Sequence, residues 1–112
     1  MKGTHLGEFE EVVLLTIALL YEDAYSVAVV EELGQRLDRP LSLGMVHRTM
    51  QRLEEKRLVQ SQMGEATAER GGRRKRLYRV TAAGEQALKE SRRLRNELWT
   101  AIPQAAFSNG LV

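Results

Sequence analysis

The sequence predicts a mainly helical domain with one small β-hairpin, in the order helix, helix, helix, hairpin, helix. Two observations indicate this order. Apolar residues recur at helical spacing before residue 56 and again after residue 82, and two short segments between them alternate apolar and polar residues. The chain has 112 residues, which is the size of one domain and leaves no room for a second large core.

The composition excludes several classes of protein. Apolar residues make up 43% of the chain and charged residues 29%, which is typical of a globular domain. The absence of cysteine excludes disulfides, thiolate catalysis and cysteine-ligated metal sites. The longest apolar stretch, residues 12–20, is too short to span a bilayer, and the first residues lack the basic start of a signal peptide. We therefore expect a cytoplasmic protein without a metal or cofactor.

The first two helices are predicted from apolar spacing. Dense apolar residues between Phe9 and Leu20 follow acidic residues that favour a helix N-terminus, so we expect this first helix to be largely buried. The apolar face of the second helix, which ends before Pro40, consists of Val27, Val30, Leu33 and Leu37. Asp23 and Ser26 are both candidate N-caps for this helix, and either would place Tyr25 in its first turn.

The third helix has a polar outer face. Ser42 is its predicted N-cap, and Leu41 and Val46 are spaced as a hydrophobic staple across that cap. One face carries the apolar residues Val46, Met50 and Leu53. The opposite face carries Gly44, His47, Arg48, Gln51 and Glu55. Such a face suits the major groove of DNA, because arginine binds guanine, glutamine binds adenine and glycine permits a close approach.

A β-hairpin with a basic segment is predicted after the third helix. Residues 58–63 and 77–81 alternate in polarity, and their connection contains Gly71 and Gly72. From Glu69 to Arg79, six basic residues stand against one acidic residue, so this segment carries +5 while the rest of the chain carries −3. A basic loop at the tip of a hairpin is typical of a wing that contacts DNA phosphates. A charge run taken alone is as often a solvated loop.

The fourth helix has more apolar surface than a short helix needs to dock on a small domain. Thr81 is its predicted cap, and it runs from Ala82 to about Ala101, shortly before Pro103. Its two adjoining apolar stripes consist of Ala87, Leu94, Leu98 and Ala101, and of Leu88, Trp99 and Ile102. We expect the exposed part to contact a partner, and residues 104–112 to be frayed or to lie across a neighbour.

The order of elements is that of a winged helix-turn-helix domain. Four segments over residues 6–98 resemble the PadR family of bacterial transcriptional regulators: LGEFEEVVLLTIALL, AYSVAVVEEL, SLGMVHRTMQRLEEKRLV and GGRRKRLYRVTAAGEQAL. The resemblance implies a homodimeric winged-helix DNA-binding protein, usually a repressor, whose last helix packs against the N-terminal region of the partner. It implies the short subgroup with a single C-terminal helix, because the chain ends too soon for a larger C-terminal domain.

Three positions depart from the family's pattern. His47 stands where a tyrosine is common, which changes the contacts available to a base or phosphate. Arg57 replaces a frequent glycine, the residue best suited to a left-handed helix C-cap. Ser26 also replaces a common glycine, and we expect this change to affect only local packing. The resemblance therefore implies DNA binding without implying an operator sequence.

The sequence and the resemblance together assign residues 1–81 to a winged helix-turn-helix DNA-binding domain and residues 82–112 to a dimerisation helix and tail. The candidate contacts to double-stranded DNA are Ser42, Gly44, His47, Arg48, Gln51, Arg73, Arg74, Lys75 and Arg76. The candidate contacts of the homodimer are Leu94, Leu98, Trp99 and Ile102. Some small members of the family hold flat aromatic effectors between subunits, which makes Trp99 a candidate effector contact as well as an interface residue.

The predicted function is a transcriptional repressor that occupies an inverted-repeat operator and is released by a small aromatic effector. No enzyme is predicted, because His47 has no partner at charge-relay or metal-ligand spacing. An exposed histidine often has no role, and Tyr78 is expected to pack in the hairpin. The competing hypothesis is a winged-helix module that binds protein through its last helix, with the basic wing incidental.

Overall fold

The structure, a computed structural model, describes residues 5–64 and 74–107. It is mainly helical with one two-stranded antiparallel hairpin, as the sequence predicts. The helices and strands are α1 (Glu8–Leu20), α2 (Ser26–Leu37), α3 (Leu43–Glu55), β1 (Val59–Met63), β2 (Arg76–Val80) and α4 (Ala82–Ala101). Short 3-10 turns follow α1 and α4, at Tyr21–Asp23 and Gln104–Phe107. No helix in the described part of the chain is both long and apolar enough to cross a membrane.

The hydrophobic core lies where α1, α2 and α3 meet the base of the hairpin. Its largest fully buried apolar side chains are Leu14, Ile17, Met50, Leu53 and Leu58. The inner face of α3 is buried as predicted, because Val46, Met50 and Leu53 have no exposed surface. Burial of this face fixes which face of α3 remains outside the domain.

The burial of the first two helices differs from the prediction. Leu15 and Leu19 on α1 are exposed, so that helix is buried on one side only. On α2, Val29 and Leu33 form the buried face, whereas Val27 and Leu37 are exposed. The apolar spacing indicated a helix but did not determine which face of α2 is turned toward the core, since several valines on α2 satisfy the same periodicity.

Neither predicted cap of α2 is correct. Asp23 ends the 3-10 turn, Tyr25 is the N-cap residue in an extended conformation, and Ser26 is the first residue of the helix. The hydroxyl group of Ser26 lies within hydrogen-bond distance of His47 on α3 instead of capping its own helix. A tertiary contact has therefore replaced the local contact that the sequence indicated.

Both ends of α3 are fixed by local hydrogen bonds. The Ser42 hydroxyl oxygen accepts the Met45 N–H, which confirms the predicted N-cap. At the other end, the Leu58 N–H donates to the Leu53 carbonyl and the Arg57 N–H donates to the Glu54 carbonyl. This is a Schellman motif, and its left-handed residue is Arg57, with φ of 64°. The backbone thus adopts the glycine-like conformation although the residue is an arginine.

The hairpin packs one face against the helices. Val59 pairs with Val80, and Ser61 pairs with Tyr78. Tyr78 is buried, as predicted, and its backbone N–H donates to the carbonyl oxygen of Ala24 in the segment before α2. The second strand is therefore joined to the helical core by its backbone as well as by its side chains.

The fourth helix starts against the end of α3 and then leaves the core. The Thr81 hydroxyl accepts the Gly84 N–H, which confirms the predicted cap, and donates to the Arg57 carbonyl. Ala87 is buried, whereas most of the helix beyond Ser91 is exposed. The Cα radius of gyration is 17.2 Å, above the value of about 13 Å for a compact domain of this length. The projecting half of α4 accounts for the elongated shape of 60 × 32 × 20 Å.

Replacing Arg57 with glycine should stabilise the protein. A left-handed conformation costs an L-residue about 1 kcal/mol, and glycine does not incur this cost. Part of the gain is offset because glycine has more conformational freedom in the unfolded chain. We expect Arg57→Gly to raise the free energy of unfolding by about 0.5 kcal/mol. Urea unfolding at one fixed protein concentration measures this, with Arg57→Ala as the control that removes the side chain and keeps the backbone cost. If Arg57→Ala raised the free energy of unfolding by the same amount, the cause would be the lost charge and not the backbone conformation.

Candidate nucleic-acid interface

The N-terminal half of α3 presents an exposed polar face. Gly44, Arg48 and Gln51 are all exposed on the side opposite the buried residues. A Cβ atom added at Gly44 would lie 3.5 Å from an Arg48 guanidinium nitrogen, so this side chain extends back over the first turn of the helix. Within residues 5–64 and 74–107, neither the Arg48 nor the Gln51 side chain has a hydrogen-bond or ion-pair partner. Their donors and acceptors are available to a ligand.

Two other predicted contacts on α3 already have protein partners. Ser42 is exposed, but its hydroxyl oxygen accepts the Met45 N–H at 3.2 Å, which leaves the O–H as the group available to a ligand. The Nδ1 atom of His47 lies 3.2 Å from the Ser26 hydroxyl oxygen, and the imidazole is half-buried. His47 therefore lies at the border between the exposed face of α3 and the start of α2, with Nε2 as its remaining polar atom.

The basic residues near the hairpin are oriented by contacts with the protein itself. Arg74 donates to the Gly64 carbonyl at 2.9 Å, and the Lys75 ammonium lies 3.9 Å from the centre of the Tyr25 ring. Arg79 lies over the Tyr21 ring at 5.2 Å. Of the predicted contacts in this segment, Arg73 lies outside the described residues. Arg74 and Lys75 thus lie at the loop end of the hairpin, and Lys75 is next to the start of α2.

A polar chain of contacts joins α3 to the hairpin. Arg76 donates to the Ser61 hydroxyl at 3.1 Å, and that hydroxyl donates to the Glu54 carboxylate at 2.8 Å. Burial raises the pKa of the Tyr78 hydroxyl, the charge of Glu54 raises it further, and Arg76 opposes this effect. Glu54 therefore faces the hairpin and partly balances Arg76, which reduces the positive charge that Arg76 offers to a ligand.

A cluster around Glu10 fixes the C-terminal half of α3 to α1. Glu10 is only 8% exposed, and its carboxylate accepts hydrogen bonds from Lys56 at 2.8 Å and from the Gly7 N–H at 2.9 Å. Arg52 lies 3.5 Å from the same carboxylate. Burial alone would raise the pKa of Glu10, but the hydrogen bonds from Lys56, Gly7 and Arg52 and the charge of Lys56 together lower it below its usual value. Arg52 and Lys56 therefore stabilise the packing of α3 on α1 through Glu10.

The projecting half of α4 presents the predicted dimer contacts to solvent. Leu94, Leu98 and Trp99 are 55%, 60% and 70% exposed, while Ile102 is half-buried. The ring of Phe107, in the 3-10 turn after α4, lies 5.8 Å from the Trp99 ring and is also exposed. The two rings form an aromatic surface of which the sequence analysis identified only Trp99.

The contacts made by the residues at the start of α2 were not predicted from the sequence. Tyr25 and Ser26 lie next to Lys75 and His47, which are 50 and 21 positions away in the sequence. Periodicity and capping patterns report local structure only, so no signal in the single sequence indicated these pairs. In the described parts of the chain, no group of three His, Asp or Glu side chains is placed to hold a metal ion.

The three helices, the hairpin and the exposed face of α3 define a winged helix-turn-helix protein. The family model described as Transcriptional regulator PadR-like family matches residues 14–90. The chain belongs to this family, whose members are DNA-binding transcriptional regulators.

Solved structures share the same fold at low sequence identity. A PadR family transcriptional regulator from Eggerthella lenta is 24% identical with a TM-score of 0.68, over 91% of this chain and 88% of that chain. A PadR-like transcriptional regulator from Bacillus cereus is 17% identical with a TM-score of 0.72, over 90% of this chain and 93% of that chain. No curated protein sequence matches the chain.

Replacing Glu10 with glutamine should destabilise the protein in a pH-dependent way. The lowered pKa means that the charged carboxylate stabilises the fold above its unfolded pKa of about 4.5, and that this contribution is lost as the pH falls through the folded pKa. We expect Glu10→Gln to lose about 2 kcal/mol at pH 7 and less at pH 3, where the carboxylate is closer to neutralisation. Urea unfolding at both pH values measures the difference. Glu31→Gln, on the exposed side of α2, should change little at either pH, and a loss for Glu10→Gln that is equal at both would contradict the assignment.

Proposed function

We propose that the protein is a homodimeric, sequence-specific DNA-binding repressor that occupies an inverted-repeat operator. The observation that carries this proposal is the exposed face of α3, where Arg48 and Gln51 lie beside Gly44 without partners in the described part of the chain. Family membership supports DNA binding and transcriptional regulation. We further propose that a small aromatic effector releases the dimer from the operator.

The third helix reads the major groove in this proposal. Arg48 is suited to the O6 and N7 atoms of guanine, and Gln51 to the N6 and N7 atoms of adenine. Gly44 lets the first turn of the helix approach the base edges because it has no side chain. Ser42 and His47 lie at the edges of this face and contact the phosphates or neighbouring bases.

The loop end of the hairpin contacts the phosphate backbone in this proposal. Arg74 lies against the Gly64 carbonyl and Lys75 lies over the Tyr25 ring, with part of each side chain exposed. Arg73 and Arg76 extend the same basic segment in the sequence. Phosphate contacts add affinity without requiring one geometry, so these residues act as a group. We assign residues 1–81 to DNA binding on this basis.

The fourth helix and the following tail form the dimer contact. The exposed apolar side chains of Leu94, Leu98 and Trp99 form a larger apolar surface than scattered surface residues usually give. Repression is then steric, because the dimer covers a promoter.

An aromatic effector would bind where the two α4 helices meet. The Trp99 and Phe107 rings, 5.8 Å apart, give this region two exposed aromatic faces. If the ligand binds more tightly to a dimer whose α3 helices are spaced incorrectly for the operator, it shifts the population toward that dimer and away from DNA. This part of the proposal is tested by the Trp99 fluorescence of the protein with planar cationic and phenolic compounds, and an unchanged spectrum throughout would contradict it.

The DNA-binding proposal is tested by fluorescence anisotropy. The purified protein is titrated against a duplex from the region upstream of its own gene and against a scrambled duplex of equal composition. We expect tighter binding of the upstream duplex, and a loss of about 10³-fold in affinity between 50 and 200 mM salt if about six phosphates are contacted. The absence of binding to either duplex at low salt would overturn the proposal and favour the protein-interaction module.

Substitutions on α3 and at the hairpin should have different effects on DNA binding. Arg48→Ala removes a base contact, so we expect it to reduce the preference for the upstream duplex by about tenfold. Arg74→Ala combined with Lys75→Ala removes phosphate contacts, so it should weaken both duplexes similarly and reduce the salt slope by about 2. Anisotropy over a salt series measures both effects. An equal loss of preference in the two variants would contradict this division.

A charge placed on the apolar side of α4 should prevent dimer formation. Leu98 is 60% exposed in the single chain, so Leu98→Glu leaves the folded subunit intact but puts a charge into the proposed interface. We expect a dimer for the unmodified protein and a monomer for Leu98→Glu in sedimentation equilibrium at micromolar concentration. Asn96→Glu adds the same charge on the other side of the helix and should remain a dimer. A monomeric unmodified protein would exclude this interface.

A further inference from the structure

The segment from Ala24 to Ser26 contacts both parts of the proposed DNA interface. Each of its three residues contacts the hairpin region or α3: the Ala24 carbonyl accepts the Tyr78 N–H at 2.9 Å, the Tyr25 ring lies under the Lys75 ammonium, and the Ser26 hydroxyl meets His47. Tyr78 and Lys75 belong to the hairpin region and His47 to α3. One short segment therefore links the two elements that meet DNA.

The Ser26 contact restricts the His47 ring. The hydroxyl oxygen lies 3.2 Å from Nδ1, and both side chains are half-buried. An imidazole with one nitrogen held in this way has a fixed ring orientation, and its other nitrogen, Nε2, remains for a ligand. His47 follows Gly44 by three positions and precedes Gln51 by four, so it is adjacent to both on the surface of α3.

The Tyr25 contact restricts Lys75 in a comparable way. The ammonium lies 3.9 Å from the centre of the ring, within the range of a cation–π interaction, and both residues are half-buried. A cation held over an aromatic face keeps its N–H groups for another acceptor, such as a phosphate oxygen. A flexible lysine held before binding loses less side-chain entropy when it meets that acceptor.

We propose that Ser26 and Tyr25 are positioning residues of the DNA interface. Ser26 orients His47 on α3, and Tyr25 orients Lys75 in the hairpin region. This inference rests on the proposed function. Neither residue needs to touch DNA, since each acts through the side chain it holds. Their adjacency in the chain keeps the two oriented groups in a constant relation to each other.

A double-mutant cycle tests the Ser26 contact. Binding to the upstream duplex and to its scrambled control is measured for Ser26→Ala, His47→Ala and the double variant. We expect Ser26→Ala to weaken upstream binding about three- to tenfold when His47 is present, and to have no further effect when His47 is alanine. Ser26→Thr retains the hydroxyl group and should restore binding.

A second cycle tests the Tyr25 contact with Lys75. Tyr25→Leu should weaken both duplexes about two- to fivefold when Lys75 is present, and should have no effect on binding in the Lys75→Ala background. Tyr25→Phe retains the ring and should bind as the unmodified protein does. The free energy of unfolding is measured for every variant, so that a loss of folded protein is separated from a loss of affinity.

The outcomes separate this inference from the proposed function. Binding losses that disappear in the His47→Ala and Lys75→Ala backgrounds would support it. Losses of equal size in both backgrounds, or no loss, would overturn it while leaving DNA binding intact. If the unmodified protein binds no duplex at low salt, the proposed function and this inference fail together. Should Tyr25→Leu fail to fold, Tyr25→Met replaces it in the two Lys75 backgrounds, and the Ser26 cycle decides the His47 contact independently.

Discussion

The placement of α3, the hairpin and α4 depends on the close approach of α4 to the end of α3. Gly84 packs against the carbonyl of Leu58 so tightly that a Cβ atom at this position would overlap the carbonyl oxygen. The same carbonyl accepts the Thr81 N–H at 3.0 Å, and the Thr81 hydroxyl donates to the neighbouring Arg57 carbonyl at 2.8 Å. Backbone groups from the end of α3 and the start of α4 thus satisfy one another, which avoids the cost of burying unpaired polar groups. Any larger residue at position 84 would separate the two helices and move the hairpin strand between them.

Charged residues divide into those that build this arrangement and those left for a partner. Lys56 and Arg52 bind the buried Glu10 carboxylate, and Arg95 on α4 binds Glu11 on α1 at 2.8 Å. Arg48 has no such partner in the described residues. The net charge of +2 does not show this division, because each internal ion pair contributes one basic and one acidic group that cancel in the total. The part of the charge that reaches solvent near α3 and the hairpin is more positive than the total suggests.

Local rules recovered most of the fold from the sequence. Ser42 and Thr81 are correctly predicted as N-caps because a cap depends on residues three positions away. The prediction failed at α2, where Ser26 turns to His47 and the helix is rotated to bury Val29 in place of Val27. The exposed face of α3 was also predictable, since Val46, Met50 and Leu53 fix its opposite side. The contacts that orient individual groups, such as Tyr25 with Lys75, join distant parts of the chain and require the folded structure.

The projecting α4 has a mechanical consequence. A helix of 20 residues is about 30 Å long, and this one is attached to the core mainly through its first half. A rotation of about 10° at its attachment would displace its far end by about 5 Å, which exceeds the rise of one base pair. The helix is thus a lever whose fulcrum is the Thr81 and Gly84 junction. A small rotation at this junction is therefore amplified along the helix, and the displacement of the tip reaches the scale of one DNA step.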